Sequence, residues 1–416
     1  MGWRLMGTSV LTGVAAGLAG AGLTAMLHAV QHLAFGYTEN TFLVGVQHAS
    51  STRRVLALSI GGAVVAVGWW LYRRLSDADV SVRHALTLPA PRMPLLPTVA
   101  DATLQIVAVG VGASLGREGA PRRVGAALGS ALAERTGLDA ADRRIVLAAG
   151  AGAGLAAVYN VPLGGAVFAL EAMLGGWRPR AMLPALVASV VATVVAWPVL
   201  GRHATYQFAT PSLSWDLVVA AATVGVLAAL LGNAMRAVVI RARTHALRGG
   251  RAVAATVLVF TALGALGITY PSLLGNGKGL AQLTFDGSLG LGTAAALAAL
   301  KPIATAACLG AGVAGGLLTP SFATGAALGA FTGQVWTHLW PGVPVLGCAL
   351  AGAAAVLAVT QRAPVTAAVL AMEFTHARLT MLVPIAVAIL AARLTASGRR
   401  CGRATRRRVS DTSRAG

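Results

Sequence analysis

The sequence predicts an all-α polytopic membrane protein, assembled from a duplicated half with many tilted and broken helices. Three observations predict it. Hydrophobic residues make up 56% of the 416-residue chain and charged residues 11%, with mean hydropathy +0.73, whereas a soluble domain carries about 25% charged residues. Apolar runs at 55–71, 181–200, 217–231 and 381–392 are long enough to cross or nearly cross a bilayer, which takes about 20 residues. Finally, blocks of sequence recur in the same order about 200 residues apart.

Taken in order, the chain opens on an apolar run from Leu5 to Phe35 with no small-residue cleavage site after a short apolar core. It reads as a retained first membrane helix rather than a signal peptide. Arginines gather between the apolar runs, at Arg53-Arg54, Arg73-Arg74, Arg143-Arg144 and from Arg236 to Arg251. Lys278 and Lys301 are the only lysines, and the net charge is +20. Arginines clustered in loops fit the positive-inside pattern and argue against nucleic-acid binding. Residues 398–416 hold seven arginines and one aspartate, as expected of a disordered basic cytoplasmic tail against anionic headgroups. Cys308, Cys348 and Cys401 show neither metal spacing nor a disulfide framework. The eight histidines are expected to pack or sit at interfaces, none forming a convincing i, i+4 pair. No cofactor or metal is expected.

The repeat is specific. Gly125-Ala126-Ala127-Leu128-Gly129 returns as Gly325-Ala326-Ala327-Leu328-Gly329, and Gly150 to Ala156 parallels Gly352 to Ala358. Asn160-Val161-Pro162-Leu163 through Glu171 parallels Arg362-Ala363-Pro364-Val365 through Glu373. The division falls near the polar stretch 201–214, giving expected halves 1–205 and 206–397 and a tail at 398–416. Paired repeats in membrane proteins place a substrate site at their interface, built from broken helices.

Gly116-Arg117-Glu118-Gly119 is the candidate site. A carboxylate and a guanidinium stand side by side among apolar neighbours, and a charge at membrane depth marks function by default. Flanking glycines expose backbone N–H groups, and a helix N-terminus built this way attracts anions. The matching segment Gly315-Gly316-Leu317-Leu318-Thr319-Pro320 is expected to offer backbone amides alone, since none of its side chains coordinates strongly.

These segments resemble those of the CLC chloride channels and chloride/proton antiporters. Gly116-Arg117-Glu118-Gly119-Ala120 is similar to that family's GREGP segment, and Gly316-Leu317-Leu318-Thr319-Pro320 to its GxFxP segment. Asn160 through Glu171 resembles its NAPLAG helix. Lys301, Thr305, Gly310 and Gly312 resemble the run before its second motif, and Arg362-Ala363-Pro364 through Met372-Glu373 its RAP…EM segment. The resemblance implies a CLC-like inverted repeat and a homodimer with one anion pathway per subunit. It also implies a multi-pass protein of the cell (inner) membrane with both termini cytoplasmic. Glu118 is then the gating glutamate, a carboxylate occupying an anion site until a proton or chloride displaces it. Gly116, Arg117, Gly119, Gly316 and the amides of Leu317 and Leu318 complete the anion-binding set.

Three departures qualify that picture. The family's GSGIP serine aligns with Asp77 inside Ser76-Asp77-Ala78-Asp79-Val80. Ser76 is left as the hydroxyl donor or N-cap, or the stretch is a solvated helix start. The second acidic residue of the antiporters is Ala172, beside Glu171. The family's late tyrosine is missing, since the last tyrosine is Tyr270. The expectation is transport of chloride, or another monovalent anion such as fluoride or nitrate, gated by Glu118 and channel-like or weakly proton-coupled. A proton-coupled chloride or fluoride antiporter is the alternative. From other classes stand a transport-inactive scaffold and an intramembrane acid/base enzyme, the latter with Ser114 as its only nucleophile.

Overall fold

Four long helices and several short ones build the first part of the chain. The structure, a computed structural model, describes residues 2–38, 41–78 and 80–396. They form α1 (Trp3–Phe35), α2 (Phe42–His48), α3 (Ser51–Leu75), α4 (Val82–Thr87), α5 (Leu95–Gly110) and α6 (Gly119–Arg135). After these come α7 (Ala140–Tyr159), α8 (Pro162–Phe168, continued by a π turn over Ala169–Met173), α9 (Pro179–Leu200) and α10 (Trp215–Thr244). The remainder is α11 (Gly249–Thr269), α12 (Lys278–Phe285), α13 (Leu291–Gly310), α14 (Leu318–Leu339), α15 (Val345–Gln361), α16 (Pro364–Thr375) and α17 (Leu379–Ala396). Among the described residues the only β-type pairing is one bridge between Gly116 and Gly316.

Seven of these helices, α1, α3, α9, α10, α11, α13 and α17, are long and apolar enough to cross a membrane. Their outward faces carry Leu18, Leu33, Ile60, Leu258 and Leu390, all exposed, as an apolar solvent requires. The helices α6, α7, α14 and α15 are buried on most faces instead, and small residues make that possible. A Cβ at Gly125 would stand 2.2 Å from Gly150 O, and one at Gly325 would stand 2.3 Å from Gly352 O. The α6–α7 and α14–α15 crossings therefore use the same glycine contact at positions the repeat relates. Gly352→Val is expected to cost about 3 kcal/mol by overpacking, because backbone faces the new side chain. Thermal unfolding in detergent checks this, and an unchanged Tm would mean that the two helices separate freely.

The ends of the repeat units match as well. α7 and α15 stop on residues in the left-handed region, Asn160 (φ 56°) and Arg362 (φ 57°), and each is followed by a proline that opens the next helix. Glu171 accepts from the backbone N–H groups of Val365 (3.1 Å) and Thr366 (2.7 Å) at the start of α16. Glu373 accepts from Leu163 (3.0 Å) and Gly164 (2.6 Å) at the start of α8. Each carboxylate thus satisfies the orphan donors of a helix on the other side of the 201–214 stretch.

Two expectations change here. Ser76 is the C-cap of α3, not an N-cap, and Asp77 is exposed in the loop after it. The following helix is capped by Ser81, whose hydroxyl accepts from His84 N–H (3.3 Å), so the stretch at 76–80 is not a helix start. Asp79 and the basic tail at 398–416 lie outside the described residues. His28 and His32 do form an i, i+4 pair, their rings stacked with centroids 6.4 Å apart.

Candidate anion site between two helix N-termini

α5 ends at Gly110 and α13 at Gly310, and both connectors then turn through a glycine with positive φ, Gly112 (110°) and Gly312 (102°). The connectors meet antiparallel. Gly116 N–H donates to Gly316 O (2.9 Å) and Gly316 N–H donates to Gly116 O (2.8 Å). Immediately after this bridge α6 starts at Gly119 and α14 at Leu318, so two helix N-termini converge on one place. Lys301 and Thr305 brace the junction from below. Lys301 Nζ donates to Leu273 O (2.9 Å) and Gly275 O (2.7 Å), and Thr305 Oγ1 donates to Ser114 O (2.8 Å).

Glu118 occupies the junction and is only 1% exposed. Its Oε1 accepts from Leu318 N–H at 2.6 Å. Its Oε2 accepts from Thr319 Oγ1 at 3.1 Å and from the Tyr159 hydroxyl at 3.4 Å. The carboxylate rests against glycines: a Cβ would come within 2.2 Å of it at Gly116 and 2.0 Å at Gly316. A buried negative charge is tolerable here because the first N–H of α14 faces it and the dipole of that helix points its positive end at it.

Arg117 does not pair with Glu118. Its Nη2 donates to Val158 O (2.9 Å) and its guanidinium lies over the Tyr159 ring, 4.9 Å from the centroid. Arg117 therefore orients the tyrosine that touches the carboxylate, and its charge reaches the site through a ring rather than an ion pair. Leu317 offers its carbonyl to Ser321 N–H (3.0 Å), and only the Leu318 amide meets Glu118. Gly119 opens α6 directly behind the carboxylate.

A cavity of about 370 Å³ reaches this junction, bounded by Gly315, Gly316 and Leu317 and by Arg122, Arg123 and Arg243. Arg83, Arg236 and Arg362 also line it, and among the described residues no carboxylate does. A narrow space walled by one sign of charge concentrates counter-ions, so the vestibule draws anions toward Glu118. Ser81 lines it, whereas Ser76 and Asp77 line a different cavity.

Two contacts escaped the sequence. Thr319 coordinates the carboxylate through its hydroxyl, although its segment was expected to offer backbone amides alone. Tyr159 supplies a phenol from the end of α7, far ahead of the C-terminal stretch after Leu394 where a tyrosine was sought. Its signal was present: it ends a run of small and aliphatic residues from Ile145 to Val158, and it directly precedes Asn160-Val161-Pro162. Ser114 is fully buried with no hydrogen-bond partner for its hydroxyl, so it has no base to activate it as a nucleophile.

The comparisons with known proteins agree with this geometry. The chain is 31% identical over 401 residues to a chloride/fluoride channel protein of Pseudomonas syringae pv. tomato, covering 90% of this chain and 83% of that one. It is 33% identical over 287 residues to a ClcB-like protein of Ralstonia nicotianae, and there the alignment spans 65% of either chain. The crystal structure of a slow cyanobacterial Cl⁻/H⁺ antiporter superposes with a TM-score of 0.84 at 21% identity, covering 96% of this chain and 95% of that one. The sequence model of the voltage gated chloride channel family matches residues 61–397. A multi-pass helical protein with this match and this paired-glycine junction belongs to the CLC family of voltage-gated chloride channels and chloride/proton antiporters.

Proposed function

We propose that the chain moves chloride, or a similar small monovalent anion such as fluoride, across the bilayer through the seat that Glu118 fills. One observation carries the reading. The Glu118 carboxylate, a built-in anion, takes the Leu318 amide at 2.6 Å, with the Thr319 and Tyr159 hydroxyls beside it, in a buried glycine-lined junction. A mobile anion arriving from the arginine vestibule competes for the same N–H group, and protonation of Glu118 removes the charge that holds it there. Gly116, Gly119, Gly316, Leu318, Thr319 and Tyr159 form the seat, and Arg117 positions Tyr159.

The names of the relatives support the substrate class: one is a chloride/fluoride channel protein, and the superposed structure is a Cl⁻/H⁺ antiporter. Ala172 in place of an acid beside Glu171 supports channel-like or weakly proton-coupled conduction, because Glu171 is already engaged as a helix cap. Matched glycine contacts, left-handed caps and reciprocal carboxylates support 1–205 and 206–397 as the two repeat halves. A homodimer in the cell (inner) membrane, with both termini cytoplasmic, completes the proposal. The protein is reconstituted in liposomes loaded with chloride, and efflux is followed with a chloride electrode while external pH is recorded. Chloride efflux is expected; its absence, with fluoride and nitrate also retained, sinks the transport reading and leaves a scaffold.

A further inference from the structure

Asp101 is a buried carboxylate that the anion seat does not use. It lies on α5, 4% exposed, and accepts from Gln105 Nε2 (2.5 Å) and from Arg123 Nη1. Two buried polar atoms nearby have no hydrogen-bond partner among the described residues: Oε1 of Gln105, the residue that donates to Asp101, and the hydroxyl of Tyr72 on α3, the helix packed against α5. Buried polar atoms of this kind are rare, and each one calls for a role.

The two atoms look in opposite directions. Gln105 Oε1 faces the start of α6: a Cβ on Gly119 would stand 2.4 Å from it and 3.2 Å from Gly316 N. That is the far side of the glycine junction on which the Glu118 carboxylate rests. Tyr72, on α3, borders a second cavity of about 580 Å³ together with Ser76, Asp77 and Arg73. The charges of Asp101, Arg123 and Arg73 act on its hydroxyl, and Ser76 lines the same cavity. This second cavity shares no lining residue with the arginine vestibule. The order Ser76, Tyr72, Asp101, Gln105, Gly119 therefore runs from a cavity separate from the anion vestibule to the back of the gate.

We propose that Asp101 is the inner proton acceptor of this chain, filling the role for which residue 172 carries no acid. A proton from solvent in the second cavity passes Ser76 and Tyr72 and binds the Asp101 carboxylate. It then crosses the gap faced by Gln105 Oε1, with solvent water as the carrier, and binds Glu118. Asp101 returns to its anionic form beside Arg123, and Glu118, now neutral, leaves the Leu318 amide to an anion. Arg123 also borders the vestibule, so an anion there competes with Asp101 for the guanidinium and frees the carboxylate to receive the proton. The charges around Asp101 on the helices packed against it are those of Arg123 on α6 and Arg73 on α3.

This inference rests on the reading of Glu118 as the gate, and the experiment separates the two. Liposomes holding the full-length protein are given a chloride gradient, and chloride and proton fluxes are read together as a ratio. Wild type is expected to be weakly coupled, with a small but measurable proton movement against chloride. The ratio falls about tenfold or more in Asp101→Asn, is retained in Asp101→Glu, and falls in Tyr72→Phe, which leaves the ion pair intact. Should Asp101→Asn fail to fold with Arg123 unpaired, the double variant Asp101→Asn/Arg123→Gln and Tyr72→Phe carry the test. An unchanged ratio in Asp101→Asn or its double, or in Tyr72→Phe, overturns the proposal. So does wild-type chloride flux without any proton movement. Absence of chloride flux in wild type counts instead against the gate.

Discussion

Glu118→Ala is expected to conduct anions at a rate that no longer depends on pH, while wild-type flux rises as the pH falls. The sign follows from what the carboxylate does at the junction. In its charged form it holds the Leu318 amide at 2.6 Å and the Thr319 hydroxyl at 3.1 Å, and the arriving anion needs the same donors. A hydrogen bond to a charged group contributes about 1.5–3 kcal/mol, so deleting the competitor raises anion occupancy of the seat about tenfold to a hundredfold. A proton does the same work reversibly in the wild type, which is why acid speeds it and leaves the alanine variant unmoved. Glu118→Gln, a standing imitation of the protonated side chain, is expected to lose the pH dependence as well. Chloride efflux from liposomes measured across pH gives the result. A retained pH profile in both variants would remove Glu118 as the gate.

Much of this arrangement was legible in the sequence, and the reason is geometric. A helix crossing at backbone contact admits only glycine or alanine, so Gly125, Gly150, Gly325 and Gly352 announce the α6–α7 and α14–α15 packing before any fold is known. Glu118 stood out because a carboxylate among apolar residues needs an explanation. The repeat spacing of about 200 residues already paired Gly116 with Gly316, which the structure joins by two hydrogen bonds. What stayed hidden depended on side-chain direction or on closure through space. Arg117 is adjacent to Glu118 in sequence yet turns toward Val158 and the Tyr159 ring, since neighbouring positions at a helix start diverge. Thr319 was hidden by being read as part of a backbone motif. Asp101 and Tyr72 sit on different helices, and nothing in the spacing of residues 72 and 101 tells that those helices pack together. The reading of Ser76 as an N-cap or a hydroxyl donor to the anion missed for a related reason, since Ser76 lines a cavity apart from the junction. Local register placed it near a helix start, but the chain caps that helix with Ser81, five residues later.

The consequence of those close glycines can be tested against the gate itself. Gly316→Ala is expected to reduce chloride flux about tenfold or more, and removing Glu118 is expected not to restore it. A methyl group at 316 would stand 2.0 Å from Glu118 Oε1, well inside contact distance for carbon and oxygen, and the end of the glutamate side chain yields before the backbone does. The carboxylate must therefore leave the Leu318 amide. Were the seat used only by Glu118, Gly316→Ala would behave as an open gate, and flux would rise as in Glu118→Ala. If the mobile anion uses the seat in turn, the same methyl blocks it, because chloride is larger than the oxygen it replaces. The double variant Gly316→Ala/Glu118→Ala distinguishes the cases, since the two residues touch and their effects need not add. Flux that stays low in the double places the anion in the carboxylate's own position. Flux restored to the level of Glu118→Ala would mean that the anion passes elsewhere and that the carboxylate does not stand in for it.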